Sequence, residues 1–410
     1  MKSRGDQEWI VVRGMGSISG LGGTPEEVYA SYTSGKTAFT NLSHLGIDTP
    51  VALISLAAEN LLQDLVRENP IYASLDRSVQ LAILAARQAV AQAGWTTDEE
   101  LPVGINIGSS RGATGLFEHF HADFLKTPEK RLSPAVSPST TLGNVASWVA
   151  NDLQAQGPLI SHSVTCSTAL QAFANGVAWL KSGMAKRFLV GGTEAPLTPF
   201  TIAQMKSIGI YSKFRADENP CRPLNKEHNT FVLGEGAAVF ALERMTQQEF
   251  EGLRREKAVV VAAVGMGYER SPSKTGISKE GLHFQAAMRD ALQQANLSHA
   301  DIDAIVLHAP GTKAGDAAEM NAILSIFGED AVNFFSNKIQ IGHTLGASGA
   351  LSAEMGMGLL FSHFNASRLQ GTIAPDTIQP THLMVNAAGF GGNAASLILT
   401  LLAKENSIGY

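Results

Sequence analysis

Only two cysteines, Cys166 and Cys221, occur in the 410 residues, too few for a disulfide framework or a cysteine-rich zinc site. No apolar run approaches the ~18–20 residues that cross a membrane as a helix. The opening MKSRGDQEWIVVRGMG carries charges where a secretory leader needs its apolar stretch. A soluble cytoplasmic protein with no membrane contact is the expectation. An excess of positive charge is also missing: 31 Lys and Arg against 37 Asp and Glu leave −6, which gives no sign of nucleic-acid binding. HExxH, GxSxG and P-loop patterns are absent, which disfavours zincin, serine-hydrolase and P-loop chemistry. The glycines of GMGSISGLG and VGMGYE lack the spacing of a dinucleotide-binding turn.

What is present is alternation. Short β-branched runs such as WIVVRGMG, PVGINIGSS and FLVGG alternate with helical patterns over 25–34, 75–93 and 141–152, the βα order of an α/β protein. The second half repeats that logic, from DAIVLH through a helix beginning near 314 to two closing β runs. TTLGNVAS at 140–147 echoes HTLGASGA at 343–350, a hint of internal duplication. No Pro/Ser-rich linker intervenes, so two intimately packed halves are expected, 1–245 and 246–410.

Leu170, Phe173, Val177 and Leu180 step by three and four residues after SHSVTCST, which predicts a helix ending near Gly183 with Cys166 at its N-terminus. Open N–H groups and the helix dipole there favour a thiolate; an inert buried thiol is the alternative. Cys221, in an irregular charged stretch, reads as structural. His308 and His343 stand in Gly-rich turns after strand-like runs, where ligands collect in α/β proteins, and Lys338 lies five residues before His343. In NAAGFGGN the glycines permit positive φ, so the turn is able to present the Phe390 N–H beside that of Cys166 as an oxyanion donor; an ordinary tight hairpin is the alternative.

Cys166 in VTCSTA, His308 in HAPGT followed by GDAAE, Lys338 with GHTLGASGA around His343, and the late GFGGN together resemble the β-ketoacyl-ACP synthases of the thiolase-like condensing-enzyme superfamily. The likeness is to the elongating, type II branch; RGMGSISGLG, LDRSVQLAILAARQAV, VGINIGSS, VGGTEAPLTPF and CRPLNKEHNTFVLGEGAAVFALE follow in the family's order. The resemblance implies an α/β, thiolase-like five-layered α-β-α-β-α fold built from two similar halves, usually a homodimer. It implies an acyltransferase of fatty-acid or polyketide biosynthesis: Cys166 takes an acyl chain from acyl carrier protein, and malonyl carrier protein is decarboxylated and condensed onto it. By resemblance His308 and His343 stabilise the enolate, Lys338 and Glu319 support them, and Phe390 is both oxyanion donor and gate between Gly389 and Gly391. Thr312, Thr275 and Phe231 would contact substrate, and no metal or cofactor beyond the carrier's phosphopantetheine is implied.

Departures from the family pattern point to a specialised chain. Pro310 replaces a Thr that meets the pantetheine arm, and Thr165 precedes the nucleophile where relatives often have Ala. Arg111 in GSSRGAT places a cation where an aliphatic residue is common, either contacting substrate at the dimer-side end of an acyl pocket or facing the dimer interface or solvent, and Asn225 and Asn229 replace an acidic loop. A basic dock for the acidic carrier is expected from Lys206, Lys213, Arg215 and Arg67. The competing readings are a heterodimer with a chain-length-factor-like partner, whether this chain is its catalytic or its non-catalytic subunit, and a thiolase. Retention of Cys166, His308 and His343 opposes the non-catalytic subunit, and the lack of a late cysteine opposes the thiolase.

Overall fold

The computed structural model describes residues 8–95, 102–142, 144–253, 257–270, 276–328, 333–364 and 379–403, which leaves Thr275 outside. Its strands, in chain order, are β1 (Glu8–Ile18), β2 (Phe39–His44), β3 (Ile47–Ala52), β4 (Gly104–Gly108), β5 (Leu159–Ile160), β6 (Arg187–Glu194) and β7 (Leu233–Gly234). They continue as β8 (Gly236–Thr246), β9 (Lys257–Tyr268), β10 (Ala304–Val306), β11 (Asn333–Phe335), β12 (His382–Gly389) and β13 (Asn393–Ala403). Ten of them form one sheet in the order β11-β10-β12-β13-β9-β1-β8-β6-β4-β5, and β2-β3-β7 form a small second sheet.

The large sheet is two copies of one design. Counting strands within each half, both five-strand runs have the order 3-2-4-5-1. They meet where β1 pairs β9 antiparallel through Val11 and Val260. In each half the long antiparallel ladder has one irregularity in register, at Arg13 of β1, between Val12 and Gly14, and at Ala262 of β9, opposite Ile398/Leu399. Such bulges bend and twist a strand locally.

The two GMG phrases have a structural meaning that lies in this repeat. A Cβ on Gly14 or Gly16 would come within 2.5 and 2.2 Å of carbonyl oxygens in the helix Arg77–Ala93. A Cβ on Gly265 or Gly267 would come within 2.1 and 2.0 Å of carbonyls in the helix Leu282–Ala295. The glycines let a helix backbone lie directly on the strand, once in each half.

Two helices run between the halves, Thr168–Lys181 and Ser348–Leu360. All thirteen residues of the second are buried, and a Cβ on its Gly349 would meet Leu170 Cγ at 2.8 Å, so the pair packs closely. Phe173 and Leu351 of these helices share a core with Phe240 of one half-sheet and Leu397 of the other. Helices 77–93 and 144–153 cover the outer face of the first half, and helices 282–295 and 313–327 that of the second. The layers therefore run α-β-α-β-α, as expected. The echo between 140–147 and 343–350 does not mark equivalent places, because helix Asn144–Leu153 belongs to an outer layer and Ser348–Leu360 to the central one. No helix among the described residues is long and apolar enough to cross a membrane.

Candidate active site

Cys166 sits where the loop after β5 turns into the central helix. Ser167 stands at the N-cap position of that helix without a capping side-chain bond, and Thr165 has φ of 50°, a left-handed conformation that is costly for a β-branched residue. Three side-chain contacts hold the turn: Thr168 Oγ1 accepts the Val164 N–H at 2.8 Å, Thr168 Oγ1 donates to Thr165 O at 2.6 Å, and Ser167 Oγ donates to Val164 O at 2.9 Å. The turn thus points a nearly buried thiol, 8% exposed, into a cavity of about 500 Å³.

The expected thiolate is not the resting form. Burial pushes the Cys166 thiol up to about 12, Glu194 adds to the rise, and Lys338 opposes it. A helix N-terminus contributes about 0.3–1 kcal/mol, less than the ~1.4 kcal/mol that moves a pKa by one, so burial wins. Alkylation of Cys166 by iodoacetamide is accordingly expected to be slow at pH 7 and to rise about tenfold per pH unit without a plateau up to pH 10. A plateau near pH 8 in a mass-spectrometric time course would contradict this.

His308 follows β10 and His343 follows the short helix Lys338–Ile341 and the left-handed Gly342. Their rings lie 5.1 Å apart at 83°, and Phe231 meets His343 edge-on at 5.4 Å. Burial, then Lys338, drives His343 down to about 3. Burial, then His343, Lys338 and His283, holds His308 well below its ordinary value. Both rings are neutral at pH 7. Each Nδ1 is buried without a hydrogen-bond partner, so the cheaper tautomer carries its proton on Nε2 and leaves that edge as a donor.

The two supporting residues act differently from each other. Glu319 Oε1 accepts the His308 N–H at 2.9 Å and Oε2 the Ala309 N–H at 2.7 Å, while Asn386 Nδ2 donates to Oε1 at 3.2 Å. It fixes the backbone of His308 rather than its ring. Lys338, 1% exposed, donates to Asn337 Oδ1 at 2.8 Å and Ser352 Oγ at 2.9 Å. With neutral partners only, burial lowers its ammonium to about 8, against the pull of Glu319.

Strands β12 and β13 are joined by Phe390, Gly391 and Gly392, the glycines at φ of 94° and 78°. Asn393 Nδ2 donates to Phe390 O at 3.0 Å, and Thr165 Oγ1 donates to the same carbonyl at 3.3 Å. The turn therefore abuts the nucleophile's own turn. Phe390, 38% exposed, stands at the cavity with Gly389.

Phe231 and Thr312 also line the cavity, and Gly391 serves the turn without lining it. Arg111, expected either at the dimer-side end of an acyl pocket or facing the dimer interface or solvent, does not line this cavity. Its Nη2 donates to Gln204 on a neighbouring helix and its backbone N–H to Glu194 at 3.2 Å, while its Nε is buried without a hydrogen-bond partner. The expected dock is also more engaged than its charges suggest. Lys206 donates to Thr49 Oγ1 at 2.6 Å and approaches His44 Nδ1 at 3.2 Å, Arg67 pairs with Asp64 at 2.7 Å, and Arg215 faces Asp217 at 3.4 Å. Lys213 is exposed.

Three residues escaped the sequence reading. Lys313 is an exposed cation at the cavity mouth. Asp316 takes the N–H groups of Gly311, Thr312 and Leu224 at 3.1, 3.0 and 2.7 Å, and so shapes the turn that carries Thr312; the GD of GTKAGD was its only signal. His283 also lines the cavity, and nothing in LHFQAAM announces it. Among the described residues no group of three or more His, Cys, Asp or Glu is placed to hold a metal.

The chain matches the family description "Beta-ketoacyl synthase, N-terminal domain" over residues 7–248 and "Beta-ketoacyl synthase, C-terminal domain" over 258–357. It is 29% identical over 416 residues to 3-oxoacyl-[acyl-carrier-protein] synthase 2 of Staphylococcus aureus, across 95% of this chain and 97% of that one. A solved β-ketoacyl synthase from Burkholderia phymatum shares the fold with a TM-score of 0.82 at 23% identity, covering 97% and 100% of the two chains. A Xenorhabdus doucetiae ketosynthase in complex with its chain length factor does so with a TM-score of 0.78 at 23% identity, covering 96% and 98%.

Proposed function

This chain belongs to the β-ketoacyl synthase family, and from that premise we propose that it is a β-ketoacyl-[acyl-carrier-protein] synthase, a decarboxylating acyltransferase. The observation that carries the reading is the convergence of the Cys166 thiol, two neutral imidazoles and the Phe390 turn on one cavity.

In the first half-reaction the Cys166 sulfur attacks the carrier's thioester carbonyl. The oxyanion rests on the N–H groups of Cys166 and Phe390, and the carrier thiol leaves with the proton the cysteine gives up. In the second, malonyl thioester loses carbon dioxide, and the electron pair of that C–C bond becomes an enolate. Nε2–H donors of His308 and His343 meet its oxygen. Because decarboxylation supplies the carbanion, no protein base is required to make it. The enolate carbon attacks the Cys166 thioester, the C–S bond breaks, and the thiolate takes a proton as 3-oxoacyl carrier leaves. Glu319 and Lys338 position these groups, and no metal or bound cofactor enters the scheme.

The same reading divides the chain into a nucleophile-bearing half, 1–245, and a histidine-bearing half, 246–410, in a cytoplasmic setting. Carrier protein would dock where Lys313 stands at the mouth, with the exposed Lys213 as a further cation for it. Phe117, Leu125 and Phe200, 60%, 64% and 59% exposed, lie in or beside the segments that follow β4 and β6. They suit burial against a second copy or a chain-length-factor-like partner. The test is intact-mass detection of acyl transfer from a panel of acyl carrier proteins. One acyl group per chain is expected on the wild type and none on Cys166→Ala; acylation of neither, with any donor, would refute the proposal.

A further inference from the structure

A third imidazole stands in the cavity wall and has no part in the scheme above. His283, 1% exposed, is the second residue of helix Leu282–Ala295. Its ring lies 4.5 Å from that of Phe284, which lies 6.2 Å from His308. The cavity is therefore lined in sequence by His343, His308, Phe284 and His283.

Behind His283 stands a carboxylate. Nδ1 is 3.3 Å from Glu269 Oε2, near but not aligned for a hydrogen bond. Glu269 is fixed by the Ser278 N–H at 2.7 Å, the Ser278 hydroxyl at 2.6 Å and the His283 N–H at 3.3 Å. Its own N–H donates to Gly392 O at 2.8 Å, which ties the pair to the Phe390 turn. Burial alone would raise the Glu269 carboxyl, but the Ser278 bonds and His283 bring it below its ordinary value, so it is ionised. Burial lowers His283 despite Glu269, so the ring is neutral.

These facts fix what the ring presents. A carboxylate beside Nδ1 draws the single proton to that nitrogen and leaves Nε2 with a bare lone pair. Among the described residues no hydrogen bond engages Nε2, and the bonds that hold Glu269 need its carboxylate and the His283 backbone, not the imidazole. An acceptor in the cavity wall that loses its water without gaining a partner costs roughly 1–3 kcal/mol, and a saturated alkyl chain laid over it has nothing to offer it. We propose that His283 is a specificity-determining residue that accepts a hydrogen bond from a hydroxyl group on the acyl chain of the thioester substrate. The assignment rests on the acyl-transfer function proposed above.

The test compares acylation of Cys166 by hexanoyl carrier protein with acylation by the 3-, 4- and 5-hydroxyhexanoyl forms, read by intact mass. Wild type is expected to prefer at least one hydroxylated donor by about tenfold or more. His283→Leu should abolish that preference while leaving hexanoyl transfer within about threefold, and His283→Gln, which keeps an acceptor, should restore part of it. No wild-type preference for any hydroxylated donor overturns the proposal, and that measurement stands even if His283→Leu does not fold. An equal loss with every donor also overturns it, because it assigns the ring to the shared pantetheine arm or to packing. Acylation by no donor at all refutes the acyl-transfer function, and this inference with it.

Discussion

Replacing both imidazoles, His308→Ala with His343→Ala, is expected to leave acyl transfer to Cys166 within about tenfold while lowering 3-oxoacyl formation by ~10³-fold or more. One well-placed donor to a developing oxyanion is worth about 10²–10³ in rate, and two that serve the same oxygen are not additive. The half-reactions therefore separate: intact mass follows the acyl-enzyme, and product analysis follows condensation. Equal loss of both would mean that the histidines activate the thiol rather than the enolate. Since His343 titrates near 3 and His308 is likewise depressed, condensation should show no histidine inflection between pH 6 and 7. Both pKa values lie below that of the unfolded chain. The unfolded chain therefore binds more protons below pH 6.5, and this contribution to stability is lost as pH falls from 6.5 toward 3.

Gly389→Ala should lower the acylation rate by roughly 10²-fold and stability by about 1–3 kcal/mol. The added Cβ would sit 1.7 Å from Thr165 Oγ1 and 2.9 Å from the Cys166 nitrogen. The clash must push the Phe390 turn and the nucleophile's turn apart, and those turns carry the two N–H groups assigned to the oxyanion. Thr165→Ala in the same chain removes the shortest contact and leaves two at 2.9 Å, to the Cys166 nitrogen and to Cβ of residue 165, so it should recover part of both losses. A double-mutant cycle measures the coupling, in acylation rate and in thermal unfolding. Simple additivity would show that the two turns are independent.

Much of this was legible in the sequence, and the reasons differ by residue. Leu170, Phe173, Val177 and Leu180 gave the helix after Cys166 because all four are buried on one helical face. The glycines after Phe390 predicted a turn that needs positive φ, and it has it. The protonation of Cys166 was misjudged because a helix terminus is a local feature, whereas burial depends on what packs over it from elsewhere in the chain. For Arg111 the position after β4 is readable from the sequence, but its bond to Gln204, 93 residues away, is not. His283 was invisible because its meaning depends on Glu269 across a fold and on a cavity wall, not on neighbours in sequence. The GMG phrases lack the spacing of a cofactor motif, yet they mark two places where a helix presses on its sheet.

The repeated 3-2-4-5-1 frame offers two equivalent sets of strand ends, and the protein uses them unequally. In the second copy the ends of β10 and β12 lead to His308 and Phe390. In the first copy the corresponding ends of β4 and β6 bring Ser109, Ser110 and Glu194 together. Glu194 accepts the Ser109 hydroxyl and Ser110 N–H at 2.8 Å each, and reaches across to the Gly346 N–H at 2.9 Å. That last bond clamps the turn just after His343. The β4 and β6 ends of one copy thus brace the turn after His343 in the other, and a symmetric frame gives its two halves different tasks at the reaction centre, the first supplying Cys166 and the brace, the second His308, His343 and Phe390.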